Sequence, residues 1–459
     1  MEAENQEISN ILFLIREYGV IEYIKKHPDR SQPINQDEML ALINEGMKKA
    51  QLLLLEKIRL VITEQEQNDA EVKRLRQTAP KEKEPIEELL SKGKLLAGRE
   101  NLLRSLVNTI VWQMFGGKRE EIARFYLEDE GTKSLTGDGF EAVLKAAESI
   151  NADPHKFALI ADLATNMHVG DLITVGKNGY EITEVKTGTK NMEAIQFFQD
   201  VEEKGLLLAE EIEKVADAHF KKQLQRMQKQ KEVAAKTADI LNNDTGVYQR
   251  DDNTIVTLHE SLYEQENYHD DLIALLEKSR AENHAYTSID GIVNVGVYRE
   301  HWLGGLGAAT LHEINAGYPL FDIRQTLSVH VVENLFSKPF SQEDINDILT
   351  GKIQVLIGIN YDQLIEFAKM AGLPLRWSTA RELNEVKAAS PIKGRELFTH
   401  ENKGLVIDDG KKKGFIGMAF IIRIALDHLK PTIEILNRLE TWEAMNDGSG
   451  LEQDANPTV

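Results

Sequence analysis

Asp171 stands before one short apolar run and Glu184-Val185-Lys186 closes the next, in the stretch MHVGDLITVGKNGYEITEVKTGTKN from Met167 to Asn191. The pattern predicts two strands, DLITV and YEITEVK, joined through the turn residues GKNG. If Gly176 to Gly179 is a four-residue loop, Val175 faces Tyr180 and Asp171 lies opposite Glu184. If Asn178-Gly179 is a two-residue type I′ turn, Asp171 faces Lys186 instead. Side chains alternate across a strand, so either register puts Asp171, Glu184 and Lys186 on one face. Apolar residues on both sides of the hairpin (Leu172, Ile182, Val185) predict that it lies inside the fold. Two carboxylates converging there repel each other unless a proton or cation sits between them. Two carboxylates, a backbone carbonyl and waters suit Mg²⁺ or Mn²⁺, and a lysine on the same face can steady a water or a phosphoryl oxygen. That is the minimum equipment for metal-assisted phosphodiester hydrolysis. The plainer reading is a surface hairpin in which Glu184 and Lys186 pair with their neighbours.

Asp171, a hairpin, then Glu184-Val185-Lys186, followed by TGTKNMEAIQFFQ opening a helix, resembles the PD-(D/E)xK nuclease superfamily. The resemblance runs from about Phe140 to Phe198, and Gly170 stands where the motif's name has proline. It implies a restriction-endonuclease-like core in which Asp171 and Glu184 are metal ligands, Val185 offers its carbonyl and Lys186 is the catalytic lysine. An acid on the preceding helix completes such sites. Glu141 is the first choice, with Glu148 and Glu121 as rivals, and Asp162 is a further acid near the strand end. Gln196 fits the polar position on the following helix. The resemblance further implies a Mg²⁺-dependent deoxyribonuclease, with DNA preferred to RNA as substrate, in restriction, repair or bacterial defence against phage.

The elements that must hold these residues read as an α+β, multi-domain chain. Apolar spacing predicts a helical N-terminal region over 1–79, with a linker around Pro80 and Pro85. A nuclease-type domain follows over 86–205, its helix GDGFEAVLKAAESI opened by Asp138. A long helical spacer or arm over 206–242 carries the basic run KKQLQRMQKQK, in which Lys221, Lys222, Arg226 and Lys229 are candidate phosphate contacts. Mixed strands and helices fill 243–444, including a helix whose Ser341 and Asp344 form a capping-box pattern. The polar segment 445–459 reads as a disordered tail. The Gly-rich HWLGGLGAAT matches no phosphate-binding or dinucleotide loop and reads as a tight turn beside a helix. His312 and Glu313 lack the second histidine of a helical zinc site. Trp112, Trp302 and Trp377 read as core residues.

Composition bounds these readings. A chain of 459 residues exceeds one typical core, and 42% hydrophobic with 28% charged residues is globular. With 0 Cys there is no disulfide framework, thiolate metal site or cysteine nucleophile, which suits a reducing cytoplasm. The opening MEAENQEISN lacks the order of a secretion signal, and charges interrupt both long apolar stretches, so a soluble cytoplasmic protein without membrane contact is expected. A formal net charge of −21 repels nucleic acid on average, although binding depends on local patches. It favours a rival reading, a non-catalytic nuclease-fold scaffold or protein-binding subunit of a nucleic-acid complex. The intact Asp, Glu and Lys favour the enzyme. A partner protein or homo-oligomer fits either.

Overall fold

A computed structural model describes the chain except residues 1, 30, 32, 78–82, 128–134, 177–178, 249–254, 259–262, 264, 390–396 and 447–459. The turn residues Lys177 and Asn178, the linker residue Pro80 and most of the expected tail lie outside the described residues. Helix outweighs strand by 60% to 15%, and among the described residues all the strand pairings are antiparallel, which makes the fold α+β. Two compact units divide the chain, Met1–Met114 with Arg124–Leu258, and Phe115–Ala123 with His259–Val459.

The first unit opens with α1 (Glu2–Arg16), α2 (Tyr18–Lys26) and the long α3 (Gln36–Gln77) and α4 (Lys83–Met114). Met47, Ala50, Leu54, Ile58 and Val61 of α3 recur at helical spacing and are buried, which is why so long a helix is stable here. Pro85, expected in a linker, sits in the first turn of α4, where its missing N–H is harmless. The short α5 (Arg119–Ile122) belongs to the second unit.

Back in the first unit come α6 (Asp138–Asn151), β1 (Phe157–Ile160), β2 (Leu172–Gly176), β3 (Gly179–Thr183) and α7 (Thr189–Glu203). Then follow α8 (Leu208–Glu213), α9 (Ala218–Asn243) and the paired β4 (Thr245–Val247) and β5 (Ile255–Thr257). The run FALI, ambiguous by periodicity, is β1, and the sheet order is β1-β2-β3. β2 is central, with Leu172 and Ile173 fully buried.

Amide side chains close both edges of this sheet. Gln51 of α3 donates to the Ala158 carbonyl and accepts from the Ile160 N–H, both at 3.0 Å. Asn242 of α9 accepts from Tyr180 N–H at 2.9 Å and donates to its carbonyl at 3.3 Å. A side-chain amide thus imitates a neighbouring strand and satisfies exposed ladder groups. Gly179, at φ +101°, has no room for a Cβ against Asn242.

α9 is no free-standing arm. Leu224 and Met227 are buried with Ala194 of α7 and Ile212 of α8, because its apolar residues share one stripe that needs a partner.

The second unit continues with α10 (His269–Glu282), β6 (His284–Ile289), β7 (Val293–Tyr298), α11 (His301–Ile314), β8 (Leu320–Asp322), α12 (Gln342–Leu349) and β9 (Gln354–Ile359). After them come α13 (Tyr361–Met370), β10 (Leu375–Trp377), α14 (Ala380–Ala389), β11 (Thr399–His400), β12 (Lys403–Asp408), β13 (Lys413–Phe415), α15 (Met418–Ala425) and α16 (Pro431–Asn446). One sheet runs β6-β7-β9-β8 and another β10-β12-β11 with β13 on β12. The Ser341 cap is present, its hydroxyl accepting from Asp344 N–H at 3.1 Å.

Two expectations fail here. HWLGGLGAAT is helix α11, not a turn. Gly304 and Gly307 let the helix approach Gln354 and the Tyr298 ring more closely than a Cβ would allow. Trp302 is 67% exposed rather than core, because it stands on the face of α11 turned from the sheet.

Candidate functional site

The hairpin adopts the first of the two registers. Val175 pairs with Tyr180 and Leu172 with Thr183, where the ladder ends one residue short of Asp171 and Glu184. Asp171 N–H donates to the Thr183 carbonyl at 2.9 Å, one residue out of step with the ladder, so the acid stands at an irregular end of the hairpin. Its own carbonyl takes the Ala161 N–H at 3.0 Å, tying it to the end of β1. Gly170 precedes it at φ +84°, and a Cβ there would collide with Ile182. Glycine at this point is a steric requirement of the turn into β2.

Beyond β3 the chain curls back on Asp171. Asp171 Oδ2 accepts the Val185 N–H at 2.7 Å, fixing the Glu184–Val185 peptide. Lys186 Nζ donates to Glu184 Oε2 at 2.7 Å and to Gln230 Oε1 at 2.9 Å. The Glu184 and Lys186 side chains keep 20% and 16% of their surface, enough shelter to strengthen the pair and enough access for a small ligand. Formally the site holds two carboxylates and one ammonium, a residual single negative charge. A hard divalent cation that keeps most of its waters and takes one or two carboxylates fits this donor set, with the Val185 carbonyl as a third oxygen.

The other expected site residues are engaged elsewhere. Glu141 Oε1 pairs with Arg59 Nη2 of α3 at 2.6 Å and is 53% exposed. Gln196 is exposed and donates to Asp200 Oδ1 along α7 at 2.7 Å. Glu148 is exposed, and Glu121 lies in the second unit, paired with Lys118 at 2.9 Å. The Asp162 carbonyl accepts from Arg104 Nη1 at 2.7 Å. Among the described residues, no three His, Asp or Glu side chains form a group able to hold a metal ion.

Helix α9 lies over this hairpin. Asp217 caps it, accepting the His219 and Phe220 N–H groups at 2.9 and 3.1 Å. These donors, Phe220 foremost, hold the Asp217 carboxyl below its usual range. Gln223 donates to Asn191 of α7, Gln230 receives Lys186 and Asn242 grips β3. Of the basic run, Lys221 pairs with Glu213 at 2.6 Å. Lys222, Arg226 and Lys229, four and three residues apart, are exposed along one stripe of α9.

No family model matches this chain, and no curated protein or solved structure matches it either. Among the described residues, no helix is long and apolar enough to cross a membrane.

Sequence reasoning missed the amides. The run KKQLQRMQKQK interleaves glutamines with its lysines, and Gln223 and Gln230 are seven residues apart, two turns along one face. That spacing is the signal that could have found them. It is masked by the lysines, because charge is the louder pattern.

Proposed function

We propose that the first unit is a metal-dependent nuclease that hydrolyses phosphodiester bonds in DNA. The observation that carries this reading is Asp171 bonded to the Val185 N–H between Glu184 and Lys186, with Lys186 held beside that glutamate, on a sheltered hairpin with partial solvent access. Asp171, Glu184 and the Val185 carbonyl would hold Mg²⁺ or Mn²⁺. The bound ion supplies Lewis-acid polarisation of a phosphoryl oxygen and a more acidic water. Lys186 Nζ, with one proton to spare beyond Glu184 and Gln230, donates to the attacking water or to a non-bridging oxygen as charge builds there. The water oxygen bonds phosphorus, an ester oxygen leaves, and the proton of the water passes to solvent. The stripe of Lys222, Arg226 and Lys229 would take the phosphate backbone, a local cationic surface on an acidic chain.

The test is cleavage of plasmid, linear and single-stranded DNA with Mg²⁺ or Mn²⁺. Asp171→Ala and Lys186→Ala should each slow it by about 10²–10³-fold or more. Metal-dependent cutting that survives both substitutions would refute the site. Neutralising Lys222, Arg226 and Lys229 should flatten the plot of log affinity against log salt by about 0.9 for each phosphate that a side chain no longer neutralises.

A further inference from the structure

Lys186 is not held by its own segment alone. Its ammonium sits between Glu184 Oε2 at 2.7 Å and Gln230 Oε1 at 2.9 Å, the latter 44 residues away on α9. A lysine ends in a point charge on a four-carbon stem with three rotatable donors, so one partner leaves it free to swing. Two partners on different elements do not.

The second partner is itself well fixed. α9 opens on the Asp217 cap and is anchored in its middle by Leu224 and Met227 in the core and near its end by Asn242 on the backbone N–H and carbonyl of Tyr180. Gln223, two turns before Gln230, is bonded to Asn191 of α7. The amide face of α9 therefore registers this helix against β3 and α7, and Gln230 is the member of that face that reaches the ammonium. Lys229, the last cation of the exposed stripe, is its immediate neighbour in sequence.

We infer that Gln230 is a positioning residue for Lys186, through which α9, the helix carrying the phosphate-binding stripe, sets the pose of the catalytic ammonium. This deepens the nuclease reading and rests on it for the word catalytic. The contact itself does not depend on that reading. Gln230 acts through Lys186, so its effect is expected on turnover and not on substrate affinity.

Two measurements on the full chain test it. The first is nitrogen-15 NMR of lysine Nζ groups, with the Lys186 signal assigned by its loss in Lys186→Arg. A doubly hydrogen-bonded ammonium exchanges its protons slowly enough to be seen. The signal should be present in the wild type, lost in Gln230→Met, which keeps length and helix propensity but offers no strong acceptor, and kept in Gln230→Glu, which retains an acceptor oxygen. A signal unchanged in Gln230→Met overturns the proposal whether or not the protein cuts DNA. The second is steady-state cleavage, where Gln230→Met should lower kcat by about ten- to a hundredfold with KM for DNA unchanged. Unaltered kcat beside an inactive Lys186→Ala overturns it too. A wild type that cuts nothing while the NMR pattern holds supports the clamp and removes the nuclease reading instead.

Discussion

Lys186 in the first unit and Lys338 in the second are both held by a glutamate, at 2.7 Å and 3.3 Å, yet one side chain is 16% exposed and the other 0%. Lys338 also donates to the Leu426 carbonyl at 2.6 Å, and its partner Glu333 lies 3.1 Å from His269 Nε2. Burial alone would raise the Glu333 carboxyl. The charges of Lys338 and His269 outweigh it and hold the group below its ordinary value. Around them Arg423 pairs with Glu120 at 3.0 Å and Glu434 at 2.5 Å, and Arg119 Nε donates to the Val331 carbonyl at 2.8 Å. Lys338, compensated by Glu333 and the Leu426 carbonyl, is closed off from solvent, which makes that pair a core element. The Glu184–Lys186 pair is compensated only in part and stays within reach of solvent. Compensation and access, not the kinds of residue present, separate a structural ion cluster from a site that can take a ligand.

The contrast has measurable consequences. Lys338→Met should cost about 3–5 kcal/mol, since it strands a buried carboxylate, whereas Lys186→Met should shift stability by about 1 kcal/mol or less. Urea unfolding followed through tryptophan fluorescence reads the difference, with Trp112 in the first unit and Trp302, Trp377 and Trp442 in the second. Equal losses would erase the distinction between the two lysines.

A smaller effect follows from His428. It is 0% exposed, with no hydrogen-bond partner on either ring nitrogen, and packs against the rings of Tyr268, His269 and Phe340. Burial first, then the charges of Lys338 and His269, pushes its pKa well below 6.5. The unfolded chain therefore takes up this proton before the folded one. Stability from neutral His428 is complete above pH 6.5 and is lost as pH falls towards the depressed folded value. Glu333, lowered from 4.5, adds a loss in the same direction only below that pH, and Asp427, raised by burial, offsets part of it. The second unit should lose up to about 1.4 kcal/mol per pH unit below neutrality through His428. His428→Asn, which suits the positive φ of 62° at this position, should flatten that slope. A slope that persists in the variant assigns the acid sensitivity to another group.

The least expected change is at Glu141. Its bond to Arg59 is exposed, so Glu141→Gln should alter stability by less than about 1 kcal/mol. It should also leave DNA cleavage near the wild-type rate. A loss matching that of Asp171→Ala would instead enrol Glu141 among the metal ligands.

The hairpin was legible from residue order because strand alternation admits few registers, and both candidates placed Asp171, Glu184 and Lys186 on one face. Helix positions followed the same logic, from apolar spacing in α3 to the Ser341 cap. The glycine run of α11 was misread because local glycine content signals turns. Only the nearby Tyr298 and Gln354 explain why a helix should carry it.

What the sequence determined by itself was local. Period and turn chemistry set the strands and the helices, since these depend on neighbours within a few positions. The tertiary structure decided which register was used, that Gln51 and Asn242 close the sheet, and that Gln230 reaches Lys186. Those pairings join residues tens to more than a hundred positions apart, through polar side chains whose types are common on any helix surface. Nothing in local pattern distinguishes the glutamine that meets an ammonium from one that meets water. Packing does, because it alone fixes which faces of α3, α7 and α9 turn inward.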